Sequence, residues 1–175
     1  MEQFDIFDIS GKPTGLIANK GTRLSNGQYY LGVHAYIYNP SLEFLLQQRS
    51  YDKEFLPGGW DVHLGHVVAG ETSMEGIVRE IQEEIGLTVP ENDIYFSGRI
   101  VWEEYHHMID IYFLETDFDL NNLTLQCGEV IGAKLVSKGE ILELVSNMYY
   151  RPEEYRRLVI GEIDRLPANN CINLM

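Results

Sequence analysis

The sequence predicts an α/β (α+β) fold in one domain spanning residues 1–175, an α/β/α sandwich around a mixed β-sheet. Three observations predict it. Residues 30–38, YLGVHAYIY, alternate Leu31, Val33, Ala35 and Ile37 with larger or polar neighbours, the period of two of a strand. Residues 72–86 carry helix start and stop signals around an apolar stripe. The order of segments, strands first, then one helix, more strands and terminal helices, suits helices packed on both faces of a sheet.

From Phe4 to Ile17, two short apolar stretches flank Ser10-Gly11-Lys12, a hairpin with a glycine turn. After the strand at 30–38, Asn39-Pro40-Ser41 turns the chain into a second strand, Glu43 to Gln48. Residues 50–70, SYDKEFLPGGWDVHLGHVVAG, mix proline and glycines without sustained periodicity, so a long shaped loop with one short strand inside is expected. Loops of that length in compact domains are usually functional. Thr72 and Glu75 have capping-box spacing, and Gly86 can end the helix in a left-handed conformation. Strands are expected at 94–102, 108–115 and 129–136 and helices at 139–148 and from about Pro152, a first-turn proline, to Leu166.

Composition narrows the function. The net charge is -14, from 27 acidic against 13 basic residues, which disfavours a nucleic-acid polymer or an anionic membrane as partner. An anionic substrate would need a cation to mediate. There is no apolar run long enough to span a bilayer, and the acidic MEQFDIFD start lacks signal-peptide regions, so a cytoplasmic protein is expected. Cys127 and Cys171 lie far apart without a partner motif and are expected as reduced thiols.

The helix at 72–85 poses an electrostatic question. With about 100° per residue, Glu80, Glu83 and Glu84 share one face beside the stripe of Met74, Ile77, Val78, Ile81 and Ile85. Gly76 falls on the carboxylate face, where a missing side chain would leave room for an approaching group. Most charge clusters are solvated surface. Like charges at i and i+4, near the negative end of the helix dipole, each cost a few tenths of a kcal/mol, however. A divalent cation such as Mg2+ would offset them and bridge carboxylates to phosphates.

The wider spacing is more specific. Gly65 is followed after five residues by Glu71, and after seven more by Arg79-Glu80-Ile81-Gln82-Glu83-Glu84-Ile85-Gly86-Leu87. This resembles the Nudix box of hydrolases acting on nucleoside diphosphates linked to another group, and the α/β/α sandwich agrees with that family. The resemblance implies a metal-dependent pyrophosphohydrolase that uses Mg2+ or Mn2+ and cleaves a phosphoanhydride bond in a small diphosphate substrate. It implies Glu80 and Glu84 as metal ligands, Glu83 in the same shell or as base, and the Gly65 backbone helping to hold the metal. Arg79 would orient the glutamates, and Glu71 would brace the loop. Several members take their base from a later loop; Glu129 is the first candidate here, with Glu103 and Glu104 behind it.

Upstream, LLQQRSYDKEFLPGGWDVHLGHVVAGE is similar to the branch that includes isopentenyl diphosphate isomerase. Arg49 and Lys53 match its diphosphate-contacting residues, and His34 and His66 match histidines of its metal site. Where the isomerase has its catalytic cysteine this chain has Leu64, and the later acidic pair aligns with His106 and Met108. Protonating a carbon–carbon double bond without either group is implausible, so the isomerase activity is not expected. His34, on a strand among tyrosines, is either a hydrogen-bonded wall residue or a ligand; His63 and His66 could line the pocket. Trp60 and Trp102 could stack on a nucleobase, although core packing explains aromatics equally well. A ligand-binding module without catalysis is the competing class, disfavoured by three intact glutamates. Homodimers are frequent among similar proteins.

Overall fold

The computed structural model describes residues 2–167. Strands β1 (Gln3–Phe7) and β2 (Pro13–Asn19) form the expected antiparallel hairpin, with Gly11 at φ +79° in its turn. β3 (Tyr30–Tyr38), β4 (Glu43–Arg49), β5 (Trp60–Asp61), β6 (His63–His66), β7 (Ile94–Trp102), β8 (His107–Glu115) and β9 (Val130–Ser137) build one seven-stranded sheet. Helix α1 (Ser73–Ile85) lies between β6 and β7, and α2 (Lys138–Ser146) and α3 (Glu153–Arg165) follow β9.

The sheet is mixed because β3 pairs parallel with β8, while its other neighbours, β4 and β6, are antiparallel. Alternation along β3 sorts the two layers. Leu31, Val33, Ala35 and Ile37 pack with Ile77, Ile81 and Ile85 of α1. Tyr36 and Tyr38 pack on the other face with Ile141 and Val145 of α2 and Tyr155, Val159 and Ile163 of α3. Both faces of β3 are thus buried, and helices cover the sheet on both sides. Ile77, Ile81 and Ile85 are fully buried at four-residue spacing, and burying each contributes roughly 1.5–3 kcal/mol.

Helix α1 carries the site, and both its ends are fixed. Thr72 Oγ1 accepts the Glu75 N–H at 3.2 Å, and Glu75 Oε2 accepts the Thr72 N–H at 2.8 Å, the reciprocal capping box. Gly86 closes the helix at φ +71°, its N–H donating to Gln82 O. Ser73 Oγ donates to Asp110 Oδ2 (2.5 Å), and Arg99 forks onto the same carboxylate at 2.5 and 2.8 Å, tying the start of α1 to β8 and β7.

Three local expectations are corrected. The 50–70 segment holds two short strands, β5 and β6, separated by Val62, because β5 pairs with β4 while β6 pairs with β3. Pro152 is the residue before α3, not its first turn. β9 begins at Val130, leaving Glu129 in the preceding turn. Gly76 leaves room on its face, as expected, and the group that approaches is the loop after β6: a Cβ there would lie 3.1 Å from Val67 Cγ2. Cys127 is a free, exposed thiol; Cys171 lies outside the described residues.

Candidate active site

The register of β6 against β3, with Val33 opposite Gly65 and Gly32 opposite His66, brings the backbone at 65–66 over the middle of the sheet, facing α1. There the Glu80 carboxylate is held from two sides. Its Oε1 accepts the His66 N–H at 3.2 Å and lies 3.1 Å from Arg79 Nη1. A Cβ on residue 65 would collide with the Glu80 side chain, so glycine is required for the close approach.

Arg79 ties the loop to the helix. Nε and Nη2 donate to the two Glu71 oxygens at 2.8 and 3.1 Å, Nη2 also donates to His66 O at 2.9 Å, and Nη1 reaches Glu83 Oε2 at 3.0 Å. Glu71 Oε2 in turn accepts the Val68 N–H at 3.2 Å. One planar guanidinium therefore fixes the 66–71 loop and two of the three glutamates.

The three glutamates differ in exposure. The Glu83 side chain is 50% exposed, whereas those of Glu80 and Glu84 are at 13% and 9%. Burial, followed by repulsion from Glu84, raises the Glu80 pKa. Burial pushes Glu84 up to about 7, against the pull of Lys53, Gln47 and Arg49. Glu84 Oε2 is buried without a hydrogen-bond partner. His63 Nε2 stands 3.7 Å away, beyond hydrogen-bond reach, and burial holds that imidazole near pKa 4, hence neutral. Among the described residues, no three His, Cys, Asp or Glu side chains are arranged to hold a metal ion by themselves.

Lys53 forms an ion pair with Glu129 at the side of this cluster, and its charge acts on both Glu84 and Glu80. Glu129, the first candidate base outside the motif, forms this ion pair with Lys53. Beside the glutamates opens a cavity of about 640 Å³, walled by Phe4, Tyr30, Phe55, Trp102 and Tyr105 and reaching Gly65 and His66. Lys20, Arg49 and Arg151 line it as cations.

Of the residues read from sequence, Arg49, His34, His66 and Trp102 line this cavity. Trp60, expected as a stacking surface, lies outside it: Lys134 Nζ sits over its ring at 4.4 Å. His63 is a buried neighbour of Glu84 and not a wall residue. His34 is a hydrogen-bonded wall residue, its Nδ1 2.8 Å from Tyr155 Oη, which lies 2.9 Å from Tyr36 Oη.

Several cavity residues carried no signal in the sequence. His66 Nε2 and His107 Nε2 are 3.0 Å apart, and His107 Nδ1–H donates to Tyr105 O at 2.6 Å, which leaves His107 Nε2 to accept from His66. Burial and the neighbouring His107 depress His66 to about 3, so the pair is neutral. Arg151 is buried and bonded to the fully buried Asp61 at 2.6 Å, across 90 residues of sequence. Only the placement of a cation amid aromatics in Tyr149-Tyr150-Arg151-Pro152 hinted at it.

Similarity to known proteins agrees with this geometry. The NUDIX domain family matches residues 28–157. The uncharacterized Nudix hydrolase lmo0368 of Listeria monocytogenes is 34% identical over 156 residues, covering 87% of this chain and 89% of that protein. Nudix hydrolase 3 of Arabidopsis thaliana is 31% identical over 83% of this chain but only 20% of its own length. An isopentenyl-diphosphate Delta-isomerase of Saccharopolyspora erythraea is 32% identical over 51% of this chain and 46% of that enzyme. The fold resembles DR0079 from Deinococcus radiodurans (TM-score 0.70, 16% identity, 94% of this chain and 98% of that one). It also resembles the MutT protein from Methanosarcina mazei (TM-score 0.57, 28% identity, 78% and 94%). The chain belongs to the Nudix hydrolase family.

Proposed function

We propose that the protein is a Mg2+-dependent or Mn2+-dependent pyrophosphohydrolase that cleaves the phosphoanhydride bond of a small diphosphate compound. The observation that carries the reading is the pair of buried carboxylates, Glu80 and Glu84, one with an orphaned oxygen and both pushed toward protonation by burial. Such a pair fits a hard cation. Mg2+ takes one or two carboxylates, keeps several waters and completes its shell with substrate phosphates, so three converging protein side chains are not required. Glu80, Glu84 and the Gly65 carbonyl would hold it. Bound there, it would neutralise charge developing on the phosphoryl oxygens and acidify the attacking water.

The remaining work falls to this chain's own residues. Arg79, braced by Glu71, keeps Glu80 and Glu83 in fixed positions. Glu83, the most exposed of the three glutamates, can meet a water and accept its proton. Lys53, steered by Glu129, and Arg49 supply positive charge for the diphosphate in a chain of net charge -14. The aromatic wall excludes water and holds the organic part of the substrate.

Similarity supports the substrate class at a coarser level: one structural neighbour, the NUDIX domain of Shewanella oneidensis NrtR, was crystallised with ADP ribose (TM-score 0.55, 16% identity, 72% of this chain and 81% of that one). The test is mass-spectrometric product analysis on nucleotide sugars, dinucleoside polyphosphates, coenzyme A, nucleoside triphosphates and isoprenoid diphosphates, each with magnesium and with excess chelator. Chelator-sensitive cleavage of a phosphoanhydride in at least one is expected. Cleavage of none, or cleavage indifferent to chelator, overturns the reading.

A further inference from the structure

The geometry points to Arg151 as the residue that selects the substrate: its guanidinium donates to a neutral acceptor, a carbonyl oxygen or ring nitrogen, on a flat ring carried beyond the diphosphate. The inference rests on the diphosphate-hydrolase reading above and adds the chemistry of the second half of the substrate.

Arg151 is immobilised but not satisfied. Nη2 donates to Asp61 Oδ2 at 2.6 Å, and Asp61 Oδ1 accepts the Val62 N–H at 2.8 Å, so the carboxylate that anchors it is itself held by the backbone between β5 and β6. Its Nε is buried with no hydrogen-bond partner, while Nη1 lies 3.5 Å from His34 Nε2, Tyr150 shares a side-chain hydrogen bond with the group, and the guanidinium sits over the Tyr155 and Tyr150 rings at 5.0 and 5.5 Å. Leaving donors of a buried arginine unused is costly, and a ligand acceptor would remove that cost. Because Asp61 already offsets the charge, a neutral acceptor suffices; a second anion would be forced against Asp61.

Arg49 is the complementary case. Its Nε donates to the Phe55 carbonyl at 2.8 Å, and among the described residues no carboxylate forms an ion pair with it. It is the cation available to a phosphate. Arg49 and Arg151 line the same cavity and flank one ring, each 5.9 Å from the centre of Phe55, and both Glu84 and Asp61 act on Arg49. A substrate whose phosphates reach Arg49 has its next group in the part of the cavity that Arg151 and Phe55 line.

The walls at that end favour a flat group. Phe55 meets the guanidinium carbons of Arg49 and Arg151 at 5.9 Å each and stands edge-on to Trp102 at 6.5 Å, while Trp102 packs on Tyr105 at 4.5 Å. Aromatic faces of this kind stack on any planar ring. An aliphatic chain would fill the same space but leave Arg151 Nε without a partner, the situation in which a polar site rejects an analogue most strongly.

The test is calorimetric titration of the full chain in magnesium with uridine diphosphate, which has a carbonyl-bearing ring, and dimethylallyl diphosphate, which has none, each with its bridging oxygen replaced by methylene so that nothing is hydrolysed. The wild type is expected to bind the uridine compound at least ~10-fold more tightly. Arg151→Lys keeps a charge beside Asp61, and the double variant Asp61→Asn/Arg151→Gln leaves no buried charge, so one of the two guards against misfolding; near-ultraviolet circular dichroism checks both. Each should lose about 10-fold or more on uridine diphosphate and less than about threefold on the alkyl diphosphate. Equal losses on both compounds in the folded variants, no loss on either, or no preference in the wild type overturns the inference. A chain that hydrolyses diphosphates without this discrimination refutes Arg151 alone; one that discriminates but hydrolyses nothing refutes the catalytic reading alone.

Discussion

Glu80 occupies the space that a side chain at position 65 would need: a Cβ on Gly65 would lie 2.6 Å from Glu80 Oε1 and closer still to its Cδ. The obstructed group is the end of a flexible side chain, so the helix need not move. Gly65→Ala should therefore cost only about 1 kcal/mol in urea unfolding. It should cut kcat/KM about 100-fold, because a carboxylate displaced by an ångström misplaces what it holds. Comparable losses in stability and activity would mean that Gly65 serves packing and not the site.

The Glu84 carboxyl gives a pH signature with a definite sign. Its pKa is raised from the ordinary 4.5 to about 7 in the fold, so the folded state holds its proton more tightly than the unfolded chain. That contribution is fully present below pH 4.5 and is lost as pH rises to about 7. The full shift corresponds to at most about 3 kcal/mol. In EDTA, Glu84→Gln should stabilise the protein by about 1–3 kcal/mol at pH 8 and be close to neutral at pH 5. A difference that does not vary with pH would contradict the buried, unpaired carboxylate.

The histidines act in the opposite direction. His63 and His66 are depressed to about 4 and about 3 by burial, and His34 lies well below its ordinary 6.5 for the same reason. The unfolded chain takes up protons below pH 6.5 while the folded protein does not, so stability falls as pH drops from 6.5 toward 3. Urea midpoints of Glu80→Gln/Glu84→Gln, which lacks both carboxyls that burial raises, should decline steadily over that range. A flat profile would place the three imidazoles in water.

Arg79 makes a two-pronged bond to Glu71 that lysine cannot reproduce. Arg79→Lys should lower kcat/KM about 100-fold, and Glu71→Gln about 10-fold. Because both act through one fork, the double variant should be little worse than Arg79→Lys alone. Additive losses would show that Glu71 acts independently of the arginine.

Glu129 distinguishes two roles. As the partner of Lys53 it should, when changed to Gln, raise KM a few-fold and leave kcat within about threefold. A general base would instead lower kcat by about 100-fold or more. That larger loss would return the proton acceptor to Glu129 and remove it from Glu83.

The fold was legible where local chemistry is self-sufficient. The alternation of β3, the capping box at Thr72 and Glu75 and the Gly86 terminus are written into neighbouring residues. The parallel pairing of β3 with β8 is not, since it joins residues more than seventy positions apart and leaves no local pattern. The same distinction divides the site. The carboxylates of α1 and their tie to Glu71 follow from one contiguous motif. Arg151, Asp61 and His107 become neighbours of His34 and His66 only once the sheet is assembled. Gly76 marked a place of close approach, but nothing local said that the approaching group is Val67 from the loop after β6. Trp60 misled because ring content says nothing about which face of a two-residue strand meets the cavity.

A metal seated on the carboxylates of α1 to cut a phosphoanhydride bond would make turnover depend on both the ion and Glu84. The most direct measurement is phosphorus NMR of turnover, on whichever diphosphate reacts fastest, by wild type and Glu84→Gln at saturating magnesium and after excess chelator. The account predicts turnover abolished by chelator and restored by magnesium, with Glu84→Gln at least about 100-fold slower while still folded. Turnover that survives the chelator, or a Glu84→Gln protein as fast as wild type, would contradict it.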